Sequence, residues 1–164
     1  MDLIRAKKLA EGLVKKHLGN AKNSWVFKFD NARKRFGMCQ WGGGKYVVSL
    51  SKHLTLLNDE PQVRDTILHE IAHALDVEDR GYSNHDANWR QIALSIGCNG
   101  ERCYSSKEVV QPQMKYTVKC NNCGNESKAM RQPRRSSNAC GKCCRKYNGG
   151  EYTPKFKLVY IQNY

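Results

Sequence analysis

The stretch Val63-Arg64-Asp65-Thr66-Ile67-Leu68-His69-Glu70-Ile71-Ala72-His73-Ala74-Leu75 decides how the rest of the chain is read. Val63, Ile67, Ile71 and Leu75 fall every fourth residue and make one apolar stripe, with Leu68 and Ala72 beside it. That is the pattern of a helix packed on one side. Asp59, Glu60 and Pro61 form its entrance, since acidic groups and Pro suit the positive end of a helix dipole. At about 100° per residue, His69 and His73 point nearly opposite the stripe. The helix is predicted to pack with one face and offer two imidazoles on the other.

Two His four apart lie one turn from each other and can reach one ion. Zinc takes nitrogen, sulfur or oxygen ligands in a tetrahedral shell, and a catalytic zinc keeps one position for water. Glu70 follows the first His without ligating. It is placed to act as general base, taking a proton from zinc-bound water as that water attacks a peptide carbonyl. The plainer reading is two solvated histidines sharing a face. For the third ligand, eleven residues separate His73 from His85, enough for the chain to turn and bring a second helix against the first. His85 is preferred, and the carboxylates Asp76, Glu78, Asp79 and Asp86 stand nearby as alternatives. Asp76 reads as an ordinary exposed carboxylate, with a hydrogen bond to an imidazole as its other reading. Tyr82 is a candidate for transition-state oxyanion binding, or a packing residue.

Outward from this helix, Ser83 with Asp86 three residues later is a capping-box pattern. It opens a second helix that carries Trp89, Ile92, Ala93 and Ile96 on one face and stops at Gly97, with His85 in its first turn. Before the metal helix, Trp25, Phe27 and Phe29 alternate with Val26, Lys28 and Asp30, the period-two signature of a half-buried strand. A second strand is expected from Phe36 to Trp41, a tight reversal at Gly42-Gly43-Gly44, and a hairpin partner from Lys45 to Leu50. The amino-terminal segment spaces Leu3, Ala6, Leu9, Ala10, Leu13 and Val14 as an amphipathic helix ending near Gly19. No stretch approaches the roughly 18 apolar residues of a membrane span. The expectation is a protein that is not secreted, has no membrane partner and sits in a reducing interior, cytoplasmic or at the nucleoid or nucleus. A monomer is expected.

Eight cysteines in a reducing compartment point to metal rather than disulfides. Cys120-Asn121-Asn122-Cys123 and Cys140-Gly141-Lys142-Cys143 are sixteen residues apart, a spacing that suits a two-knuckle structural zinc site. Gly124 follows the first pair as a knuckle wants, whereas Cys144 follows the second and competes with Cys143. Spacing favours Cys143. Cys39, Cys98 and Cys103 read as buried or spare thiols. A module of some fifty residues has little core, so a closed four-thiolate site would supply much of its folding energy.

The net charge is +13 at neutral pH. Residues 1–98 hold 15 Lys and Arg against 11 Asp and Glu, whereas residues 99–164 hold 13 against 4, so the carboxyl-terminal part is the basic one. Between and beyond the Cys pairs lie Lys128, Arg131, Arg134, Arg135, Arg145 and Lys146, with Tyr147 and Tyr152 close by. Such a surface suits sequence-nonspecific phosphate contacts with occasional base stacking, on single-stranded or junction-like DNA. A solvated basic loop is the equal alternative.

Arg35-Phe36-Gly37, Val48-Ser49-Leu50-Ser51, Thr66 to Leu75, His85 and Trp89 together resemble the SprT-like metallopeptidase domain, and a carboxyl-terminal zinc ribbon is usual in that family. The resemblance implies an α+β fold: a compact zincin-like metallopeptidase domain over 1–112 and a small β-rich zinc ribbon over 113–164. It implies His69, His73 and His85 as ligands of a catalytic Zn2+, Glu70 as base, and a structural Zn2+ on Cys120, Cys123, Cys140 and Cys143. Eukaryotic members cut proteins crosslinked to DNA, so a protein substrate and a DNA partner are expected. One departure stands out. The family often has Gly on both sides of the third His, where this chain has Asn84 and Asp86; Asp86 can bond His85, cap the helix or compete for metal. The other reading of the whole is a non-proteolytic nucleic-acid-binding zinc protein with a structural or regulatory metal helix.

Overall fold

Apolar periodicity and well-placed caps build a mixed α+β chain, with two small sheets among the described residues. A computed structural model describes residues 1–102, 109–133 and 138–164. It divides into two compact units, Met1–Pro112 and Gln113–Tyr164, each with its own apolar cluster.

The first unit opens with α1 (Leu3–Leu18), whose Asp2 cap accepts the Arg5 N–H at 2.9 Å. Three strands follow, β1 (Val26–Asp30), β2 (Gly37–Gln40) and β3 (Val47–Ser51), in the spatial order β1-β3-β2. β3 runs parallel to β1, from Val26↔Val47 to Asp30↔Ser51, and antiparallel to β2, from Gly37↔Leu50 to Gln40↔Val47. Glycines at 42, 43 and 44, all at positive φ, carry the hairpin turn, and Trp41 falls outside the strand proposed for it.

Next comes α3 (Glu60–Arg80), after the short α2 (Lys52–Leu57). α3 starts at the Asp59 cap with Pro61 in its first turn and ends on Gly81 at φ 80°, a left-handed stop that glycine adopts without a Cβ clash. It packs against α1 and α4 (Ala87–Ser95) and against β2 and β3. Val63, Ile67 and Ile71 are fully buried, while Leu75 at the end of the stripe is only partly so. Each such side chain stabilises the fold by roughly 1.5–3 kcal/mol.

Two local expectations are corrected here. Ser83 does not open a capping box. α4 begins at Ala87 with Asp86 as its cap, accepting the Trp89 N–H at 3.1 Å. His85 therefore lies in the loop before the helix and not in its first turn. α2 was also unforeseen; its six residues follow directly from β3, capped by Ser51 Oγ on the Leu54 N–H at 3.1 Å. Farther on, Asn58 pins the chain near its exit from this unit. Its amide donates to the Val110 carbonyl at 3.0 Å and accepts from the Val110 N–H at 2.7 Å.

The second unit has a three-stranded antiparallel sheet, with β4 (Tyr116–Cys120) between β5 (Glu126–Ala129) and β6 (Leu158–Gln162). It is not purely β. α5 (Gly141–Tyr147) carries the second cysteine pair, with Cys140 as its cap residue.

Candidate metal centres

The α3 stripe dictates where the imidazoles go. Burying Val63, Ile67 and Ile71 leaves His69 and His73 half-buried on the flank of the helix, one turn apart. The loop from Gly81 to Asp86 then brings His85 over them. His85 Nε2 lies 3.0 Å from His73 Nε2 and 3.0 Å from His69 Nε2. Two neutral imidazoles can share one proton in a hydrogen bond, but a third nitrogen aimed at the same point gains nothing from it. Three ligands around a tetrahedral zinc at 2.0–2.1 Å stand about 3.3 Å apart, so the spacing fits an ion. The indole of Trp89, 1% exposed, forms the floor: its ring lies 4.7 Å from His69, 5.2 Å from His73 and 4.6 Å from His85.

Protonation agrees with this geometry. Burial, then the neighbouring His85, lowers the His69 imidazole to about 4, and burial, then His69 and His85, lowers His73 to about 3. Both are neutral at physiological pH, the form that binds metal. Burial pushes the Glu70 carboxyl up to about 8, against the opposing pull of the Cys39 backbone N–H and Arg35. A dication on the imidazoles would favour the carboxylate and draw that value down.

Glu70 is 8% exposed and sits against β2. Gly37 makes room for it. A Cβ there would stand 2.6 Å from Glu70 Oε1 and 2.7 Å from its Cγ, closer than any real contact. Sequence reading did not give Gly37 a role, although a lone glycine inside a strand is the usual mark of a close approach.

Two cavities flank the His69–Glu70 pair. One, of about 290 Å3, is lined by Met38, Cys39 and Trp41 on the sheet side and Ser83, Asn84 and His85 on the loop side. The other, of about 430 Å3, runs past Lys34, Arg35, Gly37, Thr66, Asn99 and Arg102. A larger cavity of about 480 Å3 lies between α1 and β1, away from these groups. β2 is the edge of its sheet on the side of the site.

In the second unit Cys120, Cys123, Cys140 and Cys143 bring their sulfurs within 4.8 Å of one another. Cys120 Sγ is 3.8 Å from Cys143 Sγ, and Cys123 Sγ is 3.7 Å from Cys140 Sγ. Four sulfurs at 2.3 Å from one tetrahedral zinc stand about 3.8 Å apart. The Cys143 N–H lowers the Cys140 thiol to about 7, and Asn122 Nδ2 donates to Cys143 Sγ at 3.3 Å. Cys144 is buried but outside the cluster. The knuckle after Cys120 closes through Gly124, whose N–H meets the Cys120 carbonyl at 2.9 Å and whose φ is 67°.

Compared with known proteins, residues 6–113 match the model of the SprT-like family. The chain belongs to that family. A curated relative, "Protein SprT-like" of Staphylococcus carnosus (strain TM300), is 28% identical over 152 residues, 87% of this chain and 93% of its own length. Another of the same name, from Lactococcus lactis subsp. lactis (strain IL1403), is 29% identical over 119 residues, 70% and 78% of the two chains.

For this SprT-like chain the remaining candidates fall as follows. Asp76 is not an exposed carboxylate: it is fully buried, paired with Arg80 at 2.7 Å and bonded by Asn88 Nδ2 at 2.7 Å. Ser83 Oγ bonds His73 Nδ1 at 2.8 Å, fixing the ring whose other nitrogen faces the cluster. Tyr82 is 53% exposed and lies under the Arg80 guanidinium, 4.6 Å from its carbon, so it neither packs in the core nor lines either cavity. Glu78 holds Lys22, Asn23 and Trp25 instead of joining the cluster. Asp79 is exposed. Cys39 lines the smaller cavity and Cys98 is buried. Lys128, Arg131, Arg145 and Lys146 are exposed. Arg134, Arg135 and Cys103 lie outside the described residues. Among the described residues no helix is long and apolar enough to cross a membrane.

Proposed function

We propose that this chain is a zinc-dependent metalloendopeptidase with a zincin-like catalytic domain over 1–112 and a zinc-ribbon module over 113–164, acting as a monomer on DNA-associated or DNA-crosslinked proteins. The observation that carries the reading is the convergence of the three His Nε2 atoms beside a buried Glu70, in a cleft along an edge strand. A structural site has no use for a base beside it; a hydrolytic one does.

Zinc held by His69, His73 and His85 supplies a Lewis acid for the scissile carbonyl and acidifies water. The residues do the rest. Glu70 takes the proton of the attacking water on its carboxylate and returns it to the leaving nitrogen. Ser83 holds His73 in one ring orientation. The outer edge of β2, which pairs with no second strand among the described residues, offers backbone groups to an extended substrate; main-chain pairing of that kind reads little side-chain sequence. A second zinc on Cys120, Cys123, Cys140 and Cys143 shapes the ribbon. Lys128, Arg131, Arg145 and Lys146 supply phosphate contacts, joined by Arg134 and Arg135, and Tyr147 and Tyr152, 59% and 45% exposed, supply faces for stacking. Such a substrate places the protein in the cytoplasm, nucleoid or nucleus.

The test measures zinc content and cleavage of an unstructured protein, with and without DNA, for the parent and Glu70→Gln. Two zincs in both and cleavage by the parent alone are expected, with a loss of at least about 100-fold in the variant. Cleavage that survives Glu70→Gln would sink the mechanism. An inactive parent holding two zincs, with DNA present, would favour a non-proteolytic nucleic-acid-binding protein.

A further inference from the structure

The loop that carries His85 is closed by one guanidinium. Arg80, the last residue of α3, donates from Nε to Asp76 Oδ1 at 2.8 Å and from Nη2 to Asp76 Oδ2 at 2.7 Å. It reaches across the loop with Nη1 to Asp86 Oδ2 at 3.0 Å and Nη2 to Asp86 Oδ1 at 3.1 Å. Its remaining N–H meets the Tyr82 hydroxyl at 3.3 Å. An arginine has five N–H donors in a fixed fork, and here every one is used.

The consequence is geometric. Arg80 and Asp86 are the two ends of the loop Gly81–His85, so their double bond fixes the span the loop must bridge. Asp86 is at once the cap of α4 and the neighbour of His85. Asp76, at the other side of the guanidinium, is fully buried and anchors it. One of the three imidazoles, that of His85, is thus set from this cation through Asp86. Lysine carries the same charge but is a point donor that cannot make two bidentate contacts. At the position after the third His, where the family often has glycine, Asp86 caps α4 and pairs with Arg80.

We propose that Arg80 is a positioning residue for the histidine metal site, acting through Asp86 on His85. This rests on the three-histidine metal reading above. Loss of an outer partner of this kind lowers metal affinity by about 10- to 100-fold.

The test uses the full chain loaded with zinc and dialysed against a graded series of chelator strengths, with zinc per chain measured at each step. The four-cysteine site serves as the internal reference. For Arg80→Lys the histidine-site zinc is expected to leave at a free-zinc level about 10- to 100-fold higher than in the parent, with the cysteine-site zinc unmoved. Asp86→Ser supplies the second variant, since serine keeps a good helix cap and removes only the partner of Arg80; the same shift is expected with the far-ultraviolet dichroism of the parent. If Arg80→Lys fails to fold, Asp86→Ser decides. A parent that binds two zincs while both variants hold them equally tightly overturns the positioning role alone. A parent that binds only the cysteine-site zinc overturns the metal reading and this inference with it.

Discussion

The two cysteine- and histidine-lined centres differ in what surrounds them. The histidine centre stands on a unit of 112 residues whose core runs from Ala6 to Val109 and includes Trp89, Phe36, Leu50 and Leu54. The cysteine centre stands in 52 residues whose buried cluster is Cys120, Cys140, Cys143, Cys144 and Phe156. In the first, apolar burial holds the three imidazoles in place. In the second, Cys120, Cys140 and Cys143 are most of the buried cluster. Under the proposed function the two centres would use zinc differently, as a reagent among the histidines and as part of the core among the cysteines.

The sharpest way to break that contrast is to strip metal from the full chain with a strong chelator and follow backbone hydrogen exchange. Residues 113–164 should lose protection, since a structural zinc contributes about 10–16 kcal/mol in small modules, while α1, α3 and β3 keep theirs. Simultaneous loss in both units would erase the distinction. Trp89→Ala removes the floor under the imidazoles and a buried core ring together. It should cost the first unit about 3–5 kcal/mol in denaturant unfolding and leave the cysteine-site zinc in place. Gly37→Ala is subtler, because the added methyl meets the Glu70 carboxyl at 2.6 Å. Displacing the base by about 1 Å should lower peptide cleavage on the order of 100-fold with both zincs still bound; unchanged turnover would mean the contact relaxes without moving Glu70.

The smallest effect concerns acid. Burial opposes ionisation of Asp76, but bonds from Arg80 and Asn88 outweigh it and hold its carboxyl below the usual range; Arg80 does the same for Asp86. Folded values below unfolded ones mean that this stabilisation is complete above about pH 4 and is lost as pH falls through the folded values. The melting temperature of the first unit in metal-free chain should fall over that window, and less steeply in Asp76→Asn.

Much of the site was legible because its signals are periodic. The fourfold stripe of α3, the alternation in β1 and the glycines of the β2–β3 turn each depend on local spacing alone. Other features depend on competition between distant groups. Ser83 and Asp86 are both good caps three residues apart, and Asp86 prevails where Arg80 gives it an ionic partner, releasing Ser83 to His73. The Asp76–Arg80 spacing of four was visible in sequence, yet a surface pair and a buried one share that spacing; only the packing of α4 and Asn88 over Asp76 tells them apart. α2 left too short an apolar run to separate helix from strand. The helical second cysteine pair escaped notice because Cys140–Cys143 spacing suits a turn and a first helical turn equally.

The double bond between Asn58 and Val110 has a mechanical meaning. Val110 and Asn58 stand 52 residues apart in sequence, so the two bonds close a long loop that takes in α3 and α4. Replacing Asn58 by Ala would strip the Val110 N–H and carbonyl of these partners and loosen the closure.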